Sequence, residues 1–178
     1  MVTMKHRVVE IDVPAASAIA RQLHDADFFD CYEVPIAGAD VSALAFYLNV
    51  VSGSPQWVNR LMALRNHIVG FVGLKNLGHL HDVSLVKTAA DYRVGDRVGI
   101  FSLLSVTDDE VILGDSDKHL DVKVSVCKLQ RGEHRSAAVS TVVHIHNLLG
   151  RVYMLFVAPV HRLIVPAVLG RAVPTALL

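Results

Sequence analysis

Ser140–Asn147 (STVVHIHN) places two imidazoles, His144 and His146, on either side of Ile145. The run is β-branched, which favours an extended backbone, and on a strand alternate side chains share a face. An H-x-H pair so placed is how some sheet proteins begin a metal site. His79 and His81 repeat the spacing. A third ligand would have to come from His119 or Asp121, at no fixed spacing from either pair, so no metal is expected. The plainer reading is two histidines on the solvated side of a sheet. The stretch from Asp115 to Asp121 has acids at alternate positions, as a calcium loop does. It fails as one, because Leu120 stands where glycine is needed and Val126 where a bidentate Glu belongs. It reads instead as a polar turn feeding a strand, with its Asp and Ser bonding local backbone. An acid beside an imidazole can still set its tautomer and pKa. His119, Asp121, His144 and His146 are therefore the candidates for acid–base chemistry, with no reaction assigned.

A second set of residues suits ligand binding. Arg151 and Arg162 are eleven residues apart, so on an ideal helix they lie about 20° apart and share a face. With Leu155, Ala158 and Leu169 on that face, they could hold an acidic head group at a cavity mouth. Pairing with carboxylates of a sheet is the commoner fate. Tyr153 could donate a hydrogen bond from a cavity wall, or simply pack. Trp57, Arg65 and Asn66, on an earlier helix, complete the candidate ligand contacts. There is no G-x-S-x-G, no H-E-x-x-H, no P-loop and no Cys–His pairing of recognisable spacing. No cofactor is expected.

These residues need a scaffold, and the chain supplies one in blocks. Arg7–Val13 reads as a strand ended by Pro14, Ala15–Leu23 as a short helix and Asp30–Ile36 as a strand whose Pro35 marks an edge or a strand end. Ser42 can cap a helix over Ala43–Val51. Ser54 and Pro55 can open the next, in which Trp57, Leu61, Leu64, Ile68 and Phe71 make an apolar stripe expected to be buried. Gly73 with Leu74 fits a left-handed cap. From Arg97 the period becomes two, with strands expected at Arg97–Val106, Glu110–Gly114, Leu120–Leu129 and Ala137–His146. The last helix follows Asn147 and contains Pro159 and Pro166, which should curve it around the core. Helices and strands in separate runs indicate an α+β domain: a curved antiparallel sheet gripping a long C-terminal helix. On that geometry Val139, Thr141, Val143 and Ile145 face the helix, and the two histidines face away.

The 178 residues suit one domain. Seventeen basic and seventeen acidic side chains cancel, which leaves no electrostatic footprint for nucleic acid. The apolar runs Val152–Val160 and Leu163–Gly170 are each too short to span a bilayer, and joining them would bury Arg162 at its centre. No integral membrane segment is expected; lying on a membrane surface is the minor alternative. Cys31 and Cys127 are isolated and no secretory signal is read at the N-terminus, so free thiols in the cytoplasm are expected.

The segments ADFFDCYEVP, WVNRLMALRNHIVGFVGL, GDSDKHLDVKVSV and VVHIHNLLGRVYMLFVAPVHRLIVPAVLGRA resemble the bacterial family called domain of unknown function 2867, over about Asp27 to Arg171. The combined pattern HN-x-x-GR-x-Y followed by P-x-HR carries the resemblance. It implies similarity to helix-grip proteins of the START, Bet v 1 and polyketide-cyclase kind, in which sheet and helix often enclose an apolar cavity. The expected function is binding of an apolar or amphipathic small molecule. The alternative is a cyclase, dehydratase or hydrolase on the same scaffold. Relatives fused behind an NAD-binding domain imply a third reading, an interaction module for a dehydrogenase-like partner. A homodimer also stays open.

Overall fold

The computed structural model describes residues 8–36, 41–71, 87–132 and 134–173, with the side chains of 68–71 outside that description. Seven strands form one antiparallel sheet: β1 (Val9–Glu10), β2 (Phe28–Pro35), β3 (Arg97–Val98), β4 (Phe101–Val106), β5 (Glu110–Ser116), β6 (Leu120–Arg131) and β7 (His134–Ile145). Their order is β1-β2-β7-β6-β5-β4-β3. β3 to β7 are a meander of neighbours in sequence. β2 instead pairs with the last strand along its whole length, from Phe28 opposite Val143 to Pro35 opposite Ser136. Between β2 and β3 run α1 (Ala43–Ser52) and α2 (Gln56–Phe71), and α3 (Leu148–Ala172) closes the fold. This is the expected α+β arrangement, an open curved sheet with a long C-terminal helix, consistent with the helix-grip fold.

Several boundaries differ for local reasons. Arg97–Val106 is two strands, because Gly99 takes a φ of 63° and turns the chain between them. The first strand shrinks to two residues. The expected helix at Ala15–Leu23 is a 3-10 turn, Ala18–Gln22, in which only Ile19 is buried. Ser42 does cap α1, accepting a bond from Ala45 N at 3.2 Å. The Gly73–Leu74 cap, His79 and His81 lie outside the described residues.

The registers set the two faces. Phe28 and Asp30 both touch α3, so β2 turns its even-numbered side chains toward the helices. Through the pairings this face continues as Val139, Thr141 and Val143 on β7, Val122, Val124 and Val126 on β6, and Val111 and Leu113 on β5. The opposite face is partly covered by the N-terminal segment. Glu110 fastens that cover: its carboxylate accepts from Ser17 Oγ (2.5 Å), Ala18 N (2.8 Å) and Ser125 Oγ (2.6 Å).

α1, not α3, fills the core. Ala43, Leu44, Phe46, Tyr47, Val50 and Val51 are all buried, as suits a helix apolar on nearly every side. α3 buries only Gly150, Met154, Val168 and Leu169. α2 corrects the sequence reading outright. Among the described α2 side chains Val58 enters the core and Met62 packs against it, while Trp57 is 44% and Leu64 54% exposed. Periodicity identified α2 as amphipathic, but with α1 already against the sheet Trp57 and Leu64 face outward and Leu61 is half-buried; the side chains of Ile68 and Phe71 lie outside the described residues.

Truncating the two helices should therefore give opposite results. Leu44→Ala should cost about 2–5 kcal/mol as a core deletion. Leu64→Ala should change stability by no more than about 0.5 kcal/mol. Chemical denaturation of both variants checks this, and equal losses would contradict the placement of α1 and α2.

Candidate functional site

Where α3 begins, two of the sequence candidates, His119 and His146, meet the helix cap. Asn147 is the N-cap, its side-chain oxygen accepting from Gly150 N at 3.0 Å. Its amide nitrogen donates to Lys118 O at 2.9 Å and lies 3.0 Å from His119 Nδ1. The His119 carbonyl accepts from His146 N at 2.8 Å. An added Cβ at Gly150 would lie 2.3 Å from that carbonyl oxygen, so only glycine permits the approach. Asp117 Oδ1 accepts from His119 N (2.6 Å) and Leu120 N (3.1 Å), the local turn bonding expected of this stretch. His146 Nε2 is 3.3 Å from Asp121 Oδ2, and Ser116 bonds the same carboxylate. His144 lies opposite Asp121 on the face turned from α3. The HN-x-x-G pattern thus has a structural job, clasping the start of α3 to the β5–β6 turn.

The ligand-contact candidates divide. Arg65, Asn66 and Tyr153 come together: Arg65 Nε donates to Tyr153 Oη at 3.0 Å and Nη1 to Asn66 Oδ1 at 2.9 Å. The Arg65 guanidinium also sits 5.4 Å from the Tyr153 ring centroid, tying α2 to α3. Arg151 and Arg162 are both exposed on one flank of α3. Arg162 lies over the Phe28 ring at 5.6 Å, and of the side chains that share its wheel position, Leu155 points outward while Leu169 is buried. Trp57 stands on the outer side of α2.

A pair that sequence reading missed lies between β2 and α3. The Asp30 side chain is 2% exposed, and its Oδ2 is 3.2 Å from Nε2 of His161, which is 23% exposed. The contact lacks hydrogen-bond geometry, so neither Asp30 oxygen nor His161 Nε2 has a hydrogen-bond partner among the described residues. Phe28 presses edge-on against the His161 ring, with centroids 5.7 Å apart. Across the ladder Asp30 faces Thr141, also buried. Two shallow clefts are lined by described residues: one along β1 and β2 (Glu10, Ile11, Asp12, Phe29, Asp30, Cys31), about 410 Å³, and one at the β6–β7 hairpin end. No group of metal ligands occurs among the described residues.

Cys31 and Cys127 are buried free thiols. Ser140 Oγ donates to Cys31 Sγ at 3.2 Å. Burial pushes Cys127 up from its ordinary 9.0 to about 11, helped by the charges of Glu110 and Asp109.

A family model described as Protein of unknown function (DUF2867) matches residues 22–168. No curated protein and no solved structure matches the chain.

Two results are expected here. Gly150→Ala should cost about 1–3 kcal/mol or more by forcing the helix start off the His119 turn; unchanged melting would contradict the clasp. A thiol whose folded pKa is raised stabilises the fold below its unfolded value and loses that contribution as pH rises. The Cys127 contribution should thus be complete below pH 9.0 and disappear toward about 11. Cys127→Ala should lose less stability than the parent over that window, measured by denaturant titration at each pH.

Proposed function

We propose that this chain, which belongs to the DUF2867 family, binds a small amphipathic molecule on the helix-covered side of its sheet, with the ligand's polar end at His161 and Asp30. The buried pair carries this reading. Removing two polar side chains from water without giving them hydrogen bonds costs several kcal/mol, and well-packed apolar residues would hold the layer at least as well. A buried polar pair without hydrogen bonds is a poor device for stability and a good polar handle in an apolar site. His161 is accessible enough to meet a ligand while Asp30 lies beneath it. Arg162, over Phe28, adds a cation suited to an acidic head group. Fatty or aromatic acids are the class this arrangement fits. The two buried thiols suit a reducing cytoplasm.

One observation also favours a second reading, acid–base catalysis. A carboxylate 3.2 Å from an imidazole nitrogen orients the ring and stabilises its cation. Catalysis on this scaffold would use His161, whose carboxylate partner is buried, rather than His146, whose partner Asp121 is open to solvent, or His119, which clasps α3 to the sheet.

An environment-sensitive apolar dye should bind the native protein near one equivalent and be displaced by fatty or aromatic acids. Replacing both partners, Asp30→Leu with His161→Leu, should preserve folding and weaken acid displacement by roughly tenfold or more. Acids that never compete, or compete equally well in the double variant, would leave the pair without a ligand role.

A further inference from the structure

The outward side of α3 is apolar and uncovered. Leu148, Val152, Leu155, Phe156, Val160 and Leu163 are all exposed, with Leu155 and Phe156 at 73%. At about 100° per residue these six lie on one side of the helix. Arg151 and Arg162 border that arc on one flank and Arg171 on the other, all three exposed. α2, tied to α3 through Arg65 and Tyr153, adds exposed Trp57 and Leu64.

Charge on this layer is one-sided. The three helices contain Arg60, Arg65, Arg151, Arg162 and Arg171 and no Asp or Glu. The chain as a whole balances seventeen basic against seventeen acidic residues, so the acidic excess lies elsewhere. We propose that α3 docks in the interface of an anionic membrane, lying parallel to the surface with Leu155 and Phe156 inserted and Arg151 and Arg171 at the phosphate level. An apolar face flanked by arginines is the composition of an interfacial helix. The helix is long and apolar enough to cross a bilayer. Crossing would place Arg162 and His161 at mid-depth and tear Met154, Val168 and Leu169 from the fold. A second copy fits less well: α3 against α3 would bring arginines near arginines, with no carboxylate on either helix to pair them. The inference is independent of what occupies the His161 site.

The test is flotation of the full chain with vesicles of phosphatidylcholine alone and of phosphatidylcholine mixed with phosphatidylglycerol, alongside light scattering for mass. Association with the anionic vesicles only, weakened by salt, is expected. Leu155→Ser with Phe156→Ser should abolish it while melting stays unchanged, since both side chains are exposed. Arg151→Gln with Arg171→Gln should weaken it roughly 10–30-fold. Failure to float with either composition, equal affinity for both, or binding that survives the Leu155/Phe156 variant would overturn the proposal. So would a dimer in solution that the same variant dissociates.

Discussion

A carboxylate enclosed between a sheet and a helix constrains everything packed around it. Asp30 sits near the middle of β2 on the side facing α3, and its Oδ2 meets His161 Nε2 at 3.2 Å. That contact determines which side of α3 turns inward. Met154, Val157, Ala158, Ile164, Val165 and Val168 are the buried or half-buried side chains around the same helix face. The opposite side is left with Leu155, Phe156 and Leu163 in the open. Breaking such a pair by removing one partner costs far more than replacing both, because it leaves a charge stranded.

The second attachment of α3 is its first turn. Asn147 caps the helix and reaches the Lys118 carbonyl, while Gly150 lets the backbone close onto His119. One end of α3 is thus pinned to the β5–β6 turn and its middle to β2, yet little of its surface is buried. The reason lies in α1, a short helix apolar nearly all round, which occupies the sheet over β5 and β6. α3 is left over β2, beside α1. A helix held by polar contacts at two points, with an apolar outer side, is placed to receive a ligand beneath it and a surface above it.

Much of this was legible in the sequence. Period-two patterning from Arg97 onward gave the meander, and alternation put His144 and His146 on the face away from α3. The Asp117 turn followed from side-chain chemistry. What was hidden depended on contacts distant in sequence. Nothing local distinguishes Asp30 in FFDCYEVP from an ordinary polar strand residue, nor His161 from a helix histidine. Their meeting requires β2 beside β7, a pairing that closes most of the chain into one loop. The burial expected of Trp57 and Leu64 failed for a related reason: amphipathic spacing shows that a side is apolar but not whether a core remains for it to enter. An acid alternating onto the same side as Phe28, Tyr32 and Val34 was the available signal for the site, and it is a weak one.

The claim that Asp30 and His161 act as a unit is tested most directly by a double-mutant cycle on stability, using Asp30→Asn, His161→Gln and both together. Denaturant unfolding should show His161→Gln alone costing about 3–5 kcal/mol, since it strands a buried carboxylate. The double variant should recover part of that loss, for a coupling of about 0.5–3 kcal/mol. Losses that add within about 0.3 kcal/mol would mean the two side chains are neighbours without being partners, and the account of α3 and its site would fail.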